Sequence, residues 1–329
     1  MHGELGPWLA ASDGTDEEFV EGTWLRVLRR PVDEEARRRT LAKLADGSLS
    51  RAGLLQELVS GEEFAQIAVL DGALAFAAGE RARPRETRGP ARPRALHAPA
   101  SSDERAIEIP WCLARYDGEK RVLDVGYAFA EPAYLAGLAA LGARELVGVD
   151  LAETEVPGLR SVVSDVRSLP FDDDAFDLVL CVSTLEHVGR DTEQYAVDAA
   201  RADDGDEAAL RELHRVLAPG GRLLVSVPTG AEDDQGWQVQ RPPAEWTARF
   251  ERSGYLVYED ELYVHGDDGW RAATLAEAEG AAYGAIGPGA GAILLAELRP
   301  RTILERIRLV LRDAKHRDTP RRSTLGTEA

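Results

Sequence analysis

The stretch RVLDVGYAFAEP, residues 121–132, decides the fold. An apolar segment, Arg121–Val125, runs straight into Gly126, and Pro132 suits the first turn of a helix, where a missing N–H costs nothing. Strand, glycine turn and helix in that order set the unpaired amides of the helix start at the strand's carboxyl end, where they can face a ligand. A dinucleotide fingerprint needs glycines spaced G-x-G-x-x-G, and this chain offers Gly126, Ala128 and Glu131. An acid at the third position opposes a pyrophosphate, so a nicotinamide-dependent oxidoreductase is disfavoured.

Outward from this turn, apolar strands are expected near 121–125, 145–150, 160–164, 177–183, 222–228, 254–260 and 292–298, with helices between most of them. Such alternation implies an α/β fold, a doubly wound and mostly parallel seven-stranded sheet covered on both faces, with the last pair suited to an antiparallel strand. Before it, Phe19, Val20, Trp24, Val27 and Leu28 fall on one helical face, followed by Leu41 and Leu44, then Leu54, Leu55, Leu58 and Val59. Pro31 and Gly47 separate three helices, and Asp16 and Ser50 are placed to cap the first and third. The expected organisation is a small all-α domain at 14–80, a basic proline-rich linker at 81–104, the α/β domain at 105–300 and a basic helix and tail at 301–329.

Formal charge is −19, from 58 acidic and 39 basic residues, which argues against nucleic acid as a partner. No apolar run approaches the length of a membrane helix, and the first residues lack a secretory pattern. Cys112 and Cys181 lie far apart without pairing or metal-ligand spacing, as in a reducing compartment. A cytoplasmic protein with a small-molecule partner and no metal is expected. Ile303, Leu304, Ile307, Val310 and Leu311 share one side of a basic helix that could lie peripherally on a membrane, although packing on the protein itself is favoured.

The spacing acid-x-Gly-x-Gly-x-Gly is met by Asp124, Gly126, Ala128 and Ala130, with alanine in place of two glycines. With VLDVG, ELVGVD, VVSDVRSLPFDDDAFDLVLCVSTLEHVG and LHRVLAPGGRLLVSVP in order, residues 105–300 resemble a class I S-adenosylmethionine-dependent methyltransferase of the type 11 kind. The resemblance implies S-adenosylmethionine as cofactor, with Asp124, Gly126, Tyr127 and Ala128 in the first loop and Tyr127 adding bulk near the methionine end. It further implies Asp150 on the ribose hydroxyls beside Leu151, Asp165 on the adenine amino group with Val166 on the ring, and Val182 and Ser183 at the end of the fourth strand. Ala128 and Ala130 are acceptable only outside the backbone regions reserved for glycine; otherwise the chain is a binding or scaffold protein with a lost cofactor site.

His187 follows the fourth strand and is the candidate general base, with a structural role as its alternative and His265 as second choice. Acceptor contacts are sought in the segments after the fifth and sixth strands, at Trp237, Arg241, Tyr263, Trp270 and Arg271, whose aromatic and polar mixture suits a sugar ring or, equally, small satellite cores. The segment RRPVDEE, Arg29–Glu35, resembles a short helical domain of unknown function found in bacterial proteins, often beside glycan-modifying enzymes. Taken together, oxygen methylation of a small hydroxylated acceptor, such as a sugar or an envelope glycan precursor, is expected.

Overall fold

A computed structural model describes residues 14–87, 92–193, 197, 200–287 and 289–301. The helix expected after Pro300 lies outside the described residues, apart from Arg301. In chain order the elements are α1 (Asp16–Val27), α2 (Glu34–Ala45), α3 (Arg51–Val59), α4 (Glu62–Ala82), α5 (Arg105–Ala114), β1 (Arg121–Val125), α6 (Pro132–Ala140), β2 (Glu145–Asp150), β3 (Arg160–Val163) and β4 (Phe176–Val182). They continue with α7 (Gly205–Val216), β5 (Leu217–Pro228), a short hairpin β6 (Asp233–Asp234) and β7 (Val239–Gln240), α8 (Pro243–Arg252), β8 (Tyr255–Gly266), β9 (Gly269–Ala273), α9 (Leu275–Glu279) and β10 (Ala292–Pro300).

The main sheet has eight strands in the order β3-β2-β1-β4-β5-β10-β8-β9. Strands β1 to β5 pair in parallel, and β10 runs antiparallel between β5 and β8. The seven expected strands are all present. The eighth, β9, forms because Tyr255–Gly266 overruns its expected end and folds back through a tight turn at Gly269, φ +104°. Valine and leucine on β1, β2, β4 and β5 are buried on both sheet faces, which is why these strands read as continuous apolar runs.

Helices α1 to α3 and the start of α4 close over Val20, Trp24, Leu28, Leu54, Leu55 and Ile67. The first cap is Thr15 rather than Asp16: Thr15 and Glu18 form a reciprocal capping box, which leaves Asp16 free to pair with Arg51. Further along α4, Leu70 joins the core formed by α5 and the sheet.

Residues 92–102, read from sequence as linker, run along the sheet. Arg92 pairs with Glu259 at 2.8 Å and Glu297 at 3.0 Å, the Leu96 amide donates to the Tyr263 hydroxyl, and Ala98 bridges Trp270. Beneath this segment the buried Arg115 guanidinium lies 3.8 Å over the Trp111 ring and donates to Glu261 Oε1 at 2.6 Å; Trp111 Nε1 donates to the same oxygen at 3.0 Å. Removing Arg115 would leave a carboxylate with no cation beside it at the α5–β8 contact. Arg115→Ala should therefore cost about 3–5 kcal/mol of unfolding free energy in a urea titration; a loss below about 1 kcal/mol would show that the cluster is solvated and dispensable.

Candidate functional site

The β1-to-α6 turn forms because Gly126 takes φ +88°, and because a Cβ there would meet the Thr184 hydroxyl at 2.2 Å. Thr184 holds this position by donating to the Val125 carbonyl at 3.1 Å and the Val182 carbonyl at 2.9 Å. Ala128 and Ala130 are not among the left-handed residues, so neither alanine is strained. Tyr127 does not face the crevice. Its buried ring packs beneath Gly148 on β2 and its hydroxyl meets Ser161 on β3, so it fills the core under the turn.

Above this turn a crevice of about 200 Å³ opens at the carboxyl ends of β1, β2 and β4. Gly126, Asp150, Leu151, Asp165, Val166, Val182, Ser183 and His187 line it, whereas Asp124, Tyr127 and Ala128 do not. Asp150 is oriented by two amides, Ala128 N at 2.9 Å and Leu151 N at 2.6 Å, and burial raises its carboxyl above the ordinary value. Asp165 is clasped by the Arg167 side chain, which together with the Arg167 amide holds its carboxyl low. The chain's own guanidinium thus occupies the acid assigned to an adenine. Asp124 is sealed below the crevice. Tyr134, on α6, donates its hydroxyl to Asp124 Oδ2 and itself lines the crevice, so Tyr134 and not Asp124 presents the polar group there. Burial pushes the Asp124 carboxyl up to about 8.

Beside the crevice lies a chamber of about 250 Å³, and the two share Arg105, Ser183 and His187. Ser183 sits at φ +48°, a strained angle for a non-glycine residue, held by its amide donating to Ser226 Oγ at 2.9 Å. His187 stacks on Trp237 at 5.2 Å between ring centroids, and its Nδ1 lies 3.0 Å from the Trp237 carbonyl. A carbonyl only accepts, so Nδ1 carries the proton and Nε2 the lone pair. Burial lowers the imidazole to about 4, which keeps it neutral near pH 7. Nε2 faces Glu186 Oε1 at 3.8 Å. Glu104, Glu108 and Glu186 all line the chamber, as do Gln238 and Tyr283.

Of the sequence-expected acceptor residues, Trp237 alone lies on the chamber. Arg241 pairs with buried Asp206 at 3.2 Å and covers Trp246; Arg271 reaches Glu277 at 2.8 Å on the surface. Tyr263 donates to Glu261 at 2.7 Å, and Trp270 Nε1 donates to the Ser102 carbonyl at 3.0 Å. His265 stacks on Trp270 at 4.9 Å with Nε2 2.7 Å from the Ala100 carbonyl. These aromatic residues pin segment 92–102 to β8 and β9, which makes them a satellite core, and His265 is no base for this site. Glu104, Glu108, Phe129, Tyr134 and Tyr283 escaped sequence reading. For Glu108 a signal existed: it is an acid inside AIEIPWCLA, a helix buried on all sides.

Residues 123–225 match the family described as "Methyltransferase domain". By this match the chain carries a methyltransferase domain over residues 123–225. Among curated proteins, the demethylmenaquinone methyltransferase of Thermus thermophilus is 37% identical over 124 residues, covering 34% of this chain and 49% of that protein. The protein of the same name from Mycobacterium tuberculosis is 41% identical over 73 residues, covering 21% of this chain and 25% of that one. The chain thus spans half or less of the length of these relatives. Among solved structures, the 1,6-didemethyltoxoflavin-N1-methyltransferase of Burkholderia thailandensis is 15% identical with a TM-score of 0.41, covering 86% of this chain and 91% of that one. Among the described residues, no helix is long and apolar enough to cross a membrane.

Two carboxyls of this methyltransferase domain favour their neutral forms, since burial pushes both Asp124 and Glu186 up to about 8. The unfolded chain releases these protons near pH 4. The folded state thus binds more protons above that pH, and the stability this contributes is full below about pH 4 and lost as pH rises toward 8. His187 acts oppositely, but only between its folded value of about 4 and its unfolded value of about 6.5. Urea midpoints should therefore fall between pH 6.5 and 8.5, with a shallower fall in Asp124→Asn; an identical slope in the variant would show that Asp124 is already ionised.

Proposed function

We propose that this protein transfers the methyl group of S-adenosylmethionine to a hydroxyl of a small polar acceptor, with the cofactor in the crevice and the acceptor in the adjoining chamber. The observation that carries the reading is the junction of the two spaces at Arg105, Ser183 and His187. The crevice suits the cofactor: a glycine whose Cβ has no room lies at its floor, and a half-buried carboxylate held by two amides stands at the end of β2. In this reading Asp150 takes the ribose hydroxyls, Leu151 and Val166 flank the adenine, Asp165 receives its amino group in competition with Arg167, and Gly126, Val182, Ser183 and Tyr134 border the methionine end. Asp124 acts through Tyr134 as a positioning residue, and Tyr127 and Ala128 support the turn from below. When bound, the cofactor supplies an electrophilic methyl group on a sulfonium sulfur.

The chain's own work is to align a nucleophile and remove its proton. His187 is neutral, is fixed by Trp237, and carries a lone pair on Nε2. It accepts the acceptor's hydroxyl proton as the new carbon–oxygen bond forms. Trp237 and Tyr283, 6.2 Å apart and nearly perpendicular, supply aromatic surface, while Gln238 and the carboxyl groups receive hydroxyl hydrogens. Although the relatives above are named for a quinone, a chamber bearing three carboxylates favours a polar acceptor such as a sugar or glycan precursor. The helices at 14–80 serve as a packing or adapter module in this reading, and two buried free thiols are in keeping with a cytoplasmic enzyme.

The test combines calorimetry with S-adenosylhomocysteine and transfer of labelled methyl to a panel of sugars and amino sugars. Asp150→Asn should weaken cofactor-product binding about tenfold or more, as loss of charge-assisted hydrogen bonds does. His187→Ala should bind it normally and turn over about 100-fold more slowly. No transfer to any panel member by protein that binds S-adenosylhomocysteine would overturn the acceptor class, and absence of binding would overturn the enzyme reading itself.

A further inference from the structure

The chamber gathers more carboxyl groups than a hydroxyl-bearing acceptor requires. Glu108 is wholly buried on α5; its Oε1 lies 3.5 Å from Ser183 Oγ, and among the described residues its Oε2 has no hydrogen-bond partner. Glu186 is 2% exposed at the start of the turn after β4, and its Oε2 likewise has none. Glu104, one helical turn before Glu108, accepts from the Ala290 amide at 3.2 Å and lines the same space. Among the described residues one cation, Arg105, lines the chamber with them, and it is shared: it lies 3.4 Å from Asp103, 3.7 Å from Glu104 and 3.9 Å from Glu131.

A buried polar atom without a partner costs about 1–3 kcal/mol, and more for a charged group. Two such oxygens beside one cavity are a large expense for a fold to retain without return. Burial above all, and after it the nearness of other acids, raises Glu104, Glu108 and Glu186 above the ordinary carboxylate range, so that without a cation they favour their neutral forms. A neutral hydroxyl would satisfy an oxygen but leave the cost of ionising a buried carboxyl. A cation would relieve both. Among the described residues no three acids, histidines or cysteines are arranged to hold a metal ion. An organic cation fits better, because the aromatic rings of Trp237 and Tyr283 line the same space as the carboxyls, and aromatic rings attract ammonium groups.

We propose that the chamber contains an ammonium subsite, in which Glu108 and Glu186, backed by Glu104, bind a protonated amine on the acceptor while Trp237 and Tyr283 wall it. The inference rests on the reading that the chamber holds the methyl acceptor, and it narrows that acceptor to an aminated polyol such as an amino sugar. The amine is an anchor. It keeps its proton against the carboxylates and leaves a hydroxyl of the same molecule to face His187.

The experiment uses the full chain saturated with S-adenosylhomocysteine and three matched pairs of probes: glucosamine and glucose, cyclohexylamine and cyclohexanol, ethanolamine and ethylene glycol. Calorimetry should give at least one amine an affinity about tenfold or more above its alcohol, as a charge-assisted contact would. Glu108→Gln should abolish that preference and melt no lower than the parent, because the substitution removes a buried carboxylate without changing its shape. Glu186→Gln repeats the test from the other wall. Equal affinity within every pair, no amine binding by protein that holds S-adenosylhomocysteine, or a preference that survives both substitutions would overturn the ammonium subsite. The S-adenosylhomocysteine titration on the same samples reports separately on the cofactor reading.

Discussion

The turn at Gly126 is the constraint on which the site depends. Strand β1 lies at the centre of the parallel sheet, with β2 and β3 on one side and β4 and β5 on the other, so the chain leaves it in opposite directions and a crevice opens at its carboxyl end. For the crevice to be usable the backbone must turn away sharply, and φ +88° with Thr184 packed against Cα admits glycine alone. Everything above follows from that turn: Ala128 is delivered to Asp150, Tyr127 is driven down over Gly148, and Tyr134 comes to rest on Asp124. The two alanines that replace glycines occupy ordinary backbone angles, so the loop departs from the usual pattern in sequence without departing from its geometry.

The acceptor side is organised by burial of charge. Helix α5 is apolar except for the residues that meet the chamber, and Ser183, strained at φ +48°, links that helix to the end of β4 through Glu108 and Ser226. Two other acids are met by several partners: Glu297 by Arg92, Arg222 and Arg299, and Glu261 by Arg115, Trp111 and Tyr263. In the proposed reading, the chamber's carboxyls give up stability for recognition of the acceptor. They are not oversights of a fold that lacks arginines.

Sheet and crevice were legible in the sequence because both are local. Buried parallel strands are unbroken apolar runs, and the ends of β1, β2 and β4 carry Gly126, Asp150 and Ser183 at fixed distances from them. Tyr127 and Asp124 were misplaced because the direction of a side chain at a strand end depends on what α6 and β2 bring against it. The acceptor side was legible only in part. Trp237 lies in a short hairpin that puts it on His187, whereas Tyr263, His265 and Trp270 were drawn into holding residues 92–102 against the sheet, a contact more than 150 residues away in sequence, and Arg271 pairs locally with Glu277. No spacing rule reports such a partner. Glu104 and Glu108 were hidden for a different reason: they precede the first strand, outside the segments in which acceptor residues are ordinarily sought.

The most direct test of the central claim, that cofactor crevice and acceptor chamber meet at Arg105, Ser183 and His187, is a crystal structure of the chain with S-adenosylhomocysteine bound. The account predicts adenosine against Asp150, Leu151 and Val166, and the thioether sulfur turned toward the shared mouth, with Gly126 and Ser183 keeping their left-handed angles. A sulfur facing away from His187 and the chamber, or a ligand seated elsewhere on the chain, would contradict it.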